Sequence, residues 1–169
     1  MSATNEFLVP SRRAFLAAGV GLLLSSRFSL AAGARDPLTV IQAIYRLAVK
    51  GKGPSWIEKE DRPKDLSNSL VALWAKTDLK RVAGDEGPVD FDLVADTNGL
   101  TLTGFSAKTE KQTPDAATIT VTLAYKEKNP RPESSLVRYD LVREGGQWKI
   151  DEIRGSNWSA RDMLNGFLK

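Results

Sequence analysis

The sequence predicts an α+β domain in which N-terminal helices pack on a curved four-stranded antiparallel sheet and a short C-terminal helix closes the chain. Three observations predict it. Apolar residues recur at helical spacing between Asp36 and about Ala83. From Leu100 to Ile153 the spacing switches to two, and after Ser159 it returns to helical. Helices and strands segregated in this way argue for α+β rather than alternating βαβ units.

The chain opens on an address. Ser11-Arg12-Arg13-Ala14-Phe15-Leu16 is a twin-arginine block, followed by the uncharged run Ala14–Leu24 and by Ala32-Gly33-Ala34. A charged segment, a short apolar segment and a small-residue triplet make up an export signal. Arg12, Arg13, Phe15 and Leu16 match the signal of the twin-arginine translocase, and Arg27 after the apolar run fits that route. Cleavage is expected after Ala34, with Ala31 as the alternative. Residues 1–34 are thus a removable signal and 35–169 a single domain, placed in the periplasm or outside the cell. As a helix the apolar run spans about 16 Å, half of a ~30 Å hydrocarbon core, so no permanent membrane anchor is expected.

Composition narrows the chemistry. Hydrophobic residues are 41% and charged residues 27%, an ordinary globular mixture. Cys and His are both 0, which removes disulfides, thiolate and imidazole metal sites, and nucleophile–histidine dyads. No cofactor is expected. Losing Arg12, Arg13, Arg27 and Glu6 with the signal takes the 24 basic and 21 acidic residues to 21 and 20. A near-neutral mature chain lacks the positive field of a nucleic-acid binder.

In the mature chain, Asp36 is a candidate cap and Pro37 a first-turn proline. Val40, Ile41, Ile44, Tyr45, Leu47 and Ala48 form one apolar face of the first helix, which Gly51 ends. Residues 51–63 read as a loop, with Trp56 and Ile57 set among charges. Asp65 or Ser67 is expected to cap a second helix with the stripe Leu66, Leu70, Leu73 and Trp74. Gly84–Gly99 reads as a polar, acidic connection.

The strands follow. Leu100–Thr103 alternates, and Gly104-Phe105 breaks the phase, which predicts a bulge. Ala117, Ile119, Val121, Leu123 and Tyr125 alternate with polar or small residues, as do Val137, Tyr139 and Leu141. Gly145-Gly146 predicts a hairpin into a last strand from Trp148 to Ile153. Ser159 with Asp162 predicts the capped start of the final helix, with Trp158 stapled onto Met163.

Asp90-Phe91-Asp92 with Asp96 nearby, the strand Leu136–Val142 and the hairpin Gly145-Gly146-Gln147-Trp148-Lys149-Ile150-Asp151 carry a resemblance. The stretch Asp36–Lys169 resembles a bacterial family of small exported domains of unknown function. That family has the cone-shaped α+β fold shared by nuclear-transport-factor-two-like and cystatin-like proteins. The resemblance implies that fold and no settled activity, since the fold hosts isomerases, dehydratases, ligand carriers and association modules.

Three kinds of site are open. The acids Asp90, Asp92 and Asp96 with Asn98 offer oxygen ligands to a hard cation, or simply cap turns. A carboxylate facing an inward tyrosine would make a histidine-free isomerase or dehydratase. Tyr45, Tyr125 and Tyr139 are expected inward, but alternation turns Asp140 outward. The leading expectation is non-enzymatic: binding of a small apolar ligand or a periplasmic protein, with Trp56, Tyr45, Asp90, Asp92 and Asp96 as the residues involved. Trp56 either plugs the core or contacts the ligand.

Overall fold

Pro37 fixes the first backbone angle of helix α1 (Pro37–Ala48), which buries Ile41, Ile44 and Tyr45. Arg46 donates to Gln42 on its outer face, 3.1 Å away. The computed structural model describes residues 36–82, 84, 87–128 and 135–169. The residues expected to form an export signal, Arg12, Arg13, Phe15, Leu16, Ala31 and Ala34, lie outside them, as do Ala83, Asp85, Glu86 and residues 129–134.

Two details of α1 differ from expectation. Asp36 stands at the N-cap, but its side chain makes no capping hydrogen bond. Leu47 is 43% exposed, because it sits at the margin of the apolar stripe. Gly51, at φ +67°, then turns the chain in the left-handed region that glycine enters without steric cost.

The segment expected to be loop up to Pro63 ends in one turn of helix, α2 (Arg62–Asp65), with Pro63 in its first turn. Ser67, and not Asp65, caps α3 (Asn68–Lys80) by accepting the Leu70 N–H at 3.0 Å. Leu66 therefore precedes the helix instead of joining its stripe. It forms a parallel bridge to Ile150, and the Ser67 N–H donates to the Ile150 carbonyl at 2.8 Å. Two residues thereby cover the edge of the sheet that would otherwise leave open backbone groups. α3 closes at Lys80, short of Ala83.

Strands β1 (Leu102–Gln112), β2 (Ala116–Tyr125), β3 (Leu136–Glu144) and β4 (Gln147–Arg154) form an antiparallel meander in the order β1-β2-β3-β4. With α1, α3 and the terminal helix α4 (Ala160–Leu168) the architecture is α+β. The inward face carries Ala117, Ile119, Val121 and Leu123, then Val137, Tyr139 and Leu141, then Trp148, Ile150 and Ile153, all in one core with α1 and α3.

The bulge expected at Gly104-Phe105 lies one step earlier, between Leu102 and Gly104, and a second lies between Thr109 and Lys111. A third sets Asp151 out of register opposite the step from Asp140 to Leu141. It shifts Glu152 onto the Asp140 side of the sheet while Ile153 stays inward. Gly145 and Gly146, at φ +56° and +81°, supply the two positive angles of a tight hairpin.

Asp140 faces outward, as alternation requires, and pairs with Arg154 and the Thr118 hydroxyl. Ser159 caps α4 by accepting the Asp162 N–H at 3.1 Å, and the buried Glu152 accepts the Arg161 N–H at 3.2 Å. Among the described residues no helix is long and apolar enough to cross a membrane.

The largest departure concerns the connection expected to be polar. Within it Val89, Leu93, Val94, Ala95 and Asp96 are all buried. This stretch closes one end of the core. Its backbone carbonyls find partners far along the chain, since Tyr45 donates to Val94 O at 2.9 Å and Tyr125 to Ala95 O at 2.6 Å. Such partners let a loop enter an apolar interior without orphaned acceptors.

Candidate functional site

The end of α1 and the 51–57 loop face the 90–102 segment across a half-open cleft of about 490 Å³. Its walls are the partly buried Ala48, Val49, Pro54, Ile57, Phe91 and Leu100, with Ser55, Asn98 and Thr101 adding polar surface. Its floor includes Trp56, Leu93 and Val94, each at most 4% exposed. Apolar walls around a concave space of this size suit a small organic molecule.

Of the five residues expected at a site, the cleft gathers Trp56, Asp90 and Asp92. Trp56 is fixed on every side. Its indole N–H donates to Asp65 at 3.2 Å, its carbonyl accepts from Arg62 at 2.8 Å, and its ring meets Tyr139 edge-on at 6.4 Å. Burial pushes the Asp65 carboxyl up, and the Trp56 indole partly offsets that.

Asp92 and Asp90 are exposed on the cleft. Asp92 accepts the Val94 and Ala95 N–H groups on one oxygen, at 2.8 and 3.2 Å, and so shapes the turn it begins. The Asp90 carbonyl accepts from the Asn98 amide at 2.6 Å.

Tyr45 and Asp96 do not line the cleft. Tyr45 lies beneath the floor, bonded to Val94 O. Asp96 turns away. At φ +50° it adopts a left-handed backbone that aspartate tolerates better than most residues, and its carboxylate accepts the Trp158 indole N–H at 2.6 Å. That bond, with an edge-on Phe91–Trp158 contact at 5.0 Å, ties Trp158 to the 91–96 segment, a link beyond the staple onto Met163 that the sequence predicts. Asp90, Asp92 and Asp96 therefore do not converge. Among the described residues no group of three acidic side chains could hold a metal ion.

The Tyr45 and Tyr139 hydroxyls are 2.8 Å apart in the core. Burial foremost, and for Tyr45 also the neighbouring Tyr139, pushes both phenols well above their usual value. Both stay protonated under physiological conditions.

One residue that matters here escaped sequence reasoning. Arg62 is 3% exposed. It donates to the carbonyls of Trp56 and Ile57, at 2.8 and 2.6 Å, pairs with Asp78 at 2.6 Å, and lies 4.2 Å over the Trp74 ring. It thus fastens the cleft's 51–57 wall to α3. Its sequence neighbours are Asp61 and Pro63, in a charged run, and only the helix-starting proline hints at order.

No protein-family model, no curated protein and no solved structure matches this chain.

Proposed function

We propose that this chain is a cystatin-like, nuclear-transport-factor-two-like domain, exported by the twin-arginine translocase, that binds a small apolar molecule in the periplasm. The observation that carries the reading is the cleft of about 490 Å³, walled by apolar side chains and floored by a rigidly held tryptophan. The twin arginines ahead of a short apolar run support export.

Binding is favoured over proton-transfer catalysis by how the core tyrosines are used. A carbonyl only accepts, so the Tyr45 proton goes to Val94 O and the Tyr139 proton to the Tyr45 oxygen. Neither hydroxyl lines the cleft, and one oxygen of the nearby Asp92 carboxylate is occupied in capping its turn.

Nile red, a neutral apolar dye, tests the reading. Its fluorescence should rise on mixing with the mature protein. Leu100→Trp, which fills the cleft from a wall position, should suppress the rise without lowering the melting temperature. An equal rise with the variant would place binding elsewhere.

A further inference from the structure

The cleft has a one-sided charge. Its ionisable lining side chains among the described residues are Asp90 and Asp92, both acidic and both exposed. A third carboxylate, Glu127, adjoins it by accepting the backbone N–H of the lining residue Thr101 at 2.7 Å. Lys126, next to Glu127, offsets part of that third charge, and the cations that flank the lining residues after α1 are Lys50 and Lys52. Neither side chain lines the cleft, and neither pairs with Asp90 or Asp92. The Asp90 carboxylate makes no hydrogen bond or ion pair with a described residue.

From this complementarity we infer that the occupant is a small organic cation, an amine or ammonium head on an apolar body. The inference rests on the cleft reading above and names the chemistry of its ligand. The half-buried walls take the body. The exposed carboxylates meet the head at the rim, where neither charge has to leave water, so the pair avoids the desolvation cost of a buried ion pair. Asp92 is already oriented by the Val94 and Ala95 N–H groups, so little side-chain freedom is lost on binding. A carboxylate ligand of the same shape would instead meet Asp90 and Asp92.

Three matched probes test this: phenylbutylamine, phenylbutanol and phenylbutyrate, titrated into nitrogen-15-labelled protein. The Asn98 side-chain amide and the Trp56 indole report on the cleft. The amine should bind about fivefold tighter than the alcohol, the gain expected of two exposed charge pairs, with the carboxylate weakest. Raising salt from about 0.01 M to about 0.15 M, which shortens the screening length from about 30 Å to about 8 Å, should shrink that gain. Combining Asp90→Asn with Asp92→Asn should erase the preference, so that amine and alcohol bind the variant equally; asparagine keeps the acceptor oxygen that the Asp92 turn uses. Equal affinities of amine and alcohol would overturn the cation inference and leave the cleft standing. Failure of all three to move the cleft signals would overturn the cleft reading and the inference with it.

Discussion

The Tyr139 hydroxyl donates its proton to the Tyr45 hydroxyl, 2.8 Å away, because the Tyr45 proton is already given to Val94 O. The order of the relay makes the two tyrosines unequal. Tyr139→Phe removes the outer donor and leaves the Tyr45–Val94 bond, costing about 0.5–1.5 kcal/mol. Tyr45→Phe strands the Tyr139 hydroxyl and removes the donor to Val94 O, so it should cost more, about 1–3 kcal/mol for each buried group left unsatisfied. Urea unfolding of the two variants checks the ranking.

The same pair sets a pH dependence. Both phenols are raised in the folded chain above an unfolded value of about 10. Above that pH the unfolded chain loses these protons while the folded chain keeps them. The folded state then binds more protons, so stability falls as pH rises. The stability that the pair contributes is complete below about pH 10 and declines beyond it. The double variant Tyr45→Phe with Tyr139→Phe should show a shallower alkaline decline, measured by chemical unfolding at a series of pH values.

Trp56 and Arg62 stabilise the cleft wall from inside. Trp56→Ala removes a large ring from the core and should cost about 3–5 kcal/mol. Arg62→Ala leaves Asp78, itself only 11% exposed, without its close partner and frees two carbonyls, a loss of similar size. Arg62→Lys keeps the charge but lacks the planar fork that reaches both carbonyls and Asp78, so it should restore only part of the loss. Melting temperatures of the three variants test the order.

Gly155 carries a steric demand of a different kind. A Cβ built there falls 2.1 Å from the Trp158 indole nitrogen. Gly155→Ala should therefore displace the indole and break its bond to Asp96, moving the Trp158 indole N–H resonance toward its solvent-exposed position. Ser159→Ala, at the α4 cap, should cost about 0.5–2 kcal/mol while leaving that resonance in place.

Export is tested apart from the fold. Replacing Arg12 and Arg13 by Lys should hold precursor in the cytoplasm. Unchanged periplasmic yield would assign the signal to the general secretory route.

Much of the sheet was legible because its side chains obey a period. Ile119, Val121, Leu123 and Tyr139 alternate, and Gly145-Gly146 marks the hairpin. The Ser159 cap was legible for a similar local reason, a hydroxyl followed three residues later by Asp162 just ahead of a helical apolar rhythm.

What escaped was whatever depends on distant partners. Val89, Leu93, Val94 and Ala95 follow no period and sit among acids, and the Tyr45 and Tyr125 hydroxyls, from distant elements, satisfy the buried Val94 and Ala95 carbonyls. Leu66 fits the helical stripe in spacing but is taken by Ile150 of the sheet edge. At the site, Trp56 stood out as a lone aromatic among charges, and Asp90 and Asp92 by their spacing. The arginine that anchors the wall, and the turn of Asp96 away from its acidic neighbours, have no local signature.

Native mass spectrometry of the mature protein purified gently from periplasm tests cleft binding most directly. A one-to-one small-molecule adduct should accompany the wild-type chain and be missing from Leu100→Trp. Wild-type protein that flies only at its bare chain mass, and stays so after incubation with phenylbutylamine, would contradict the cleft as a binding site.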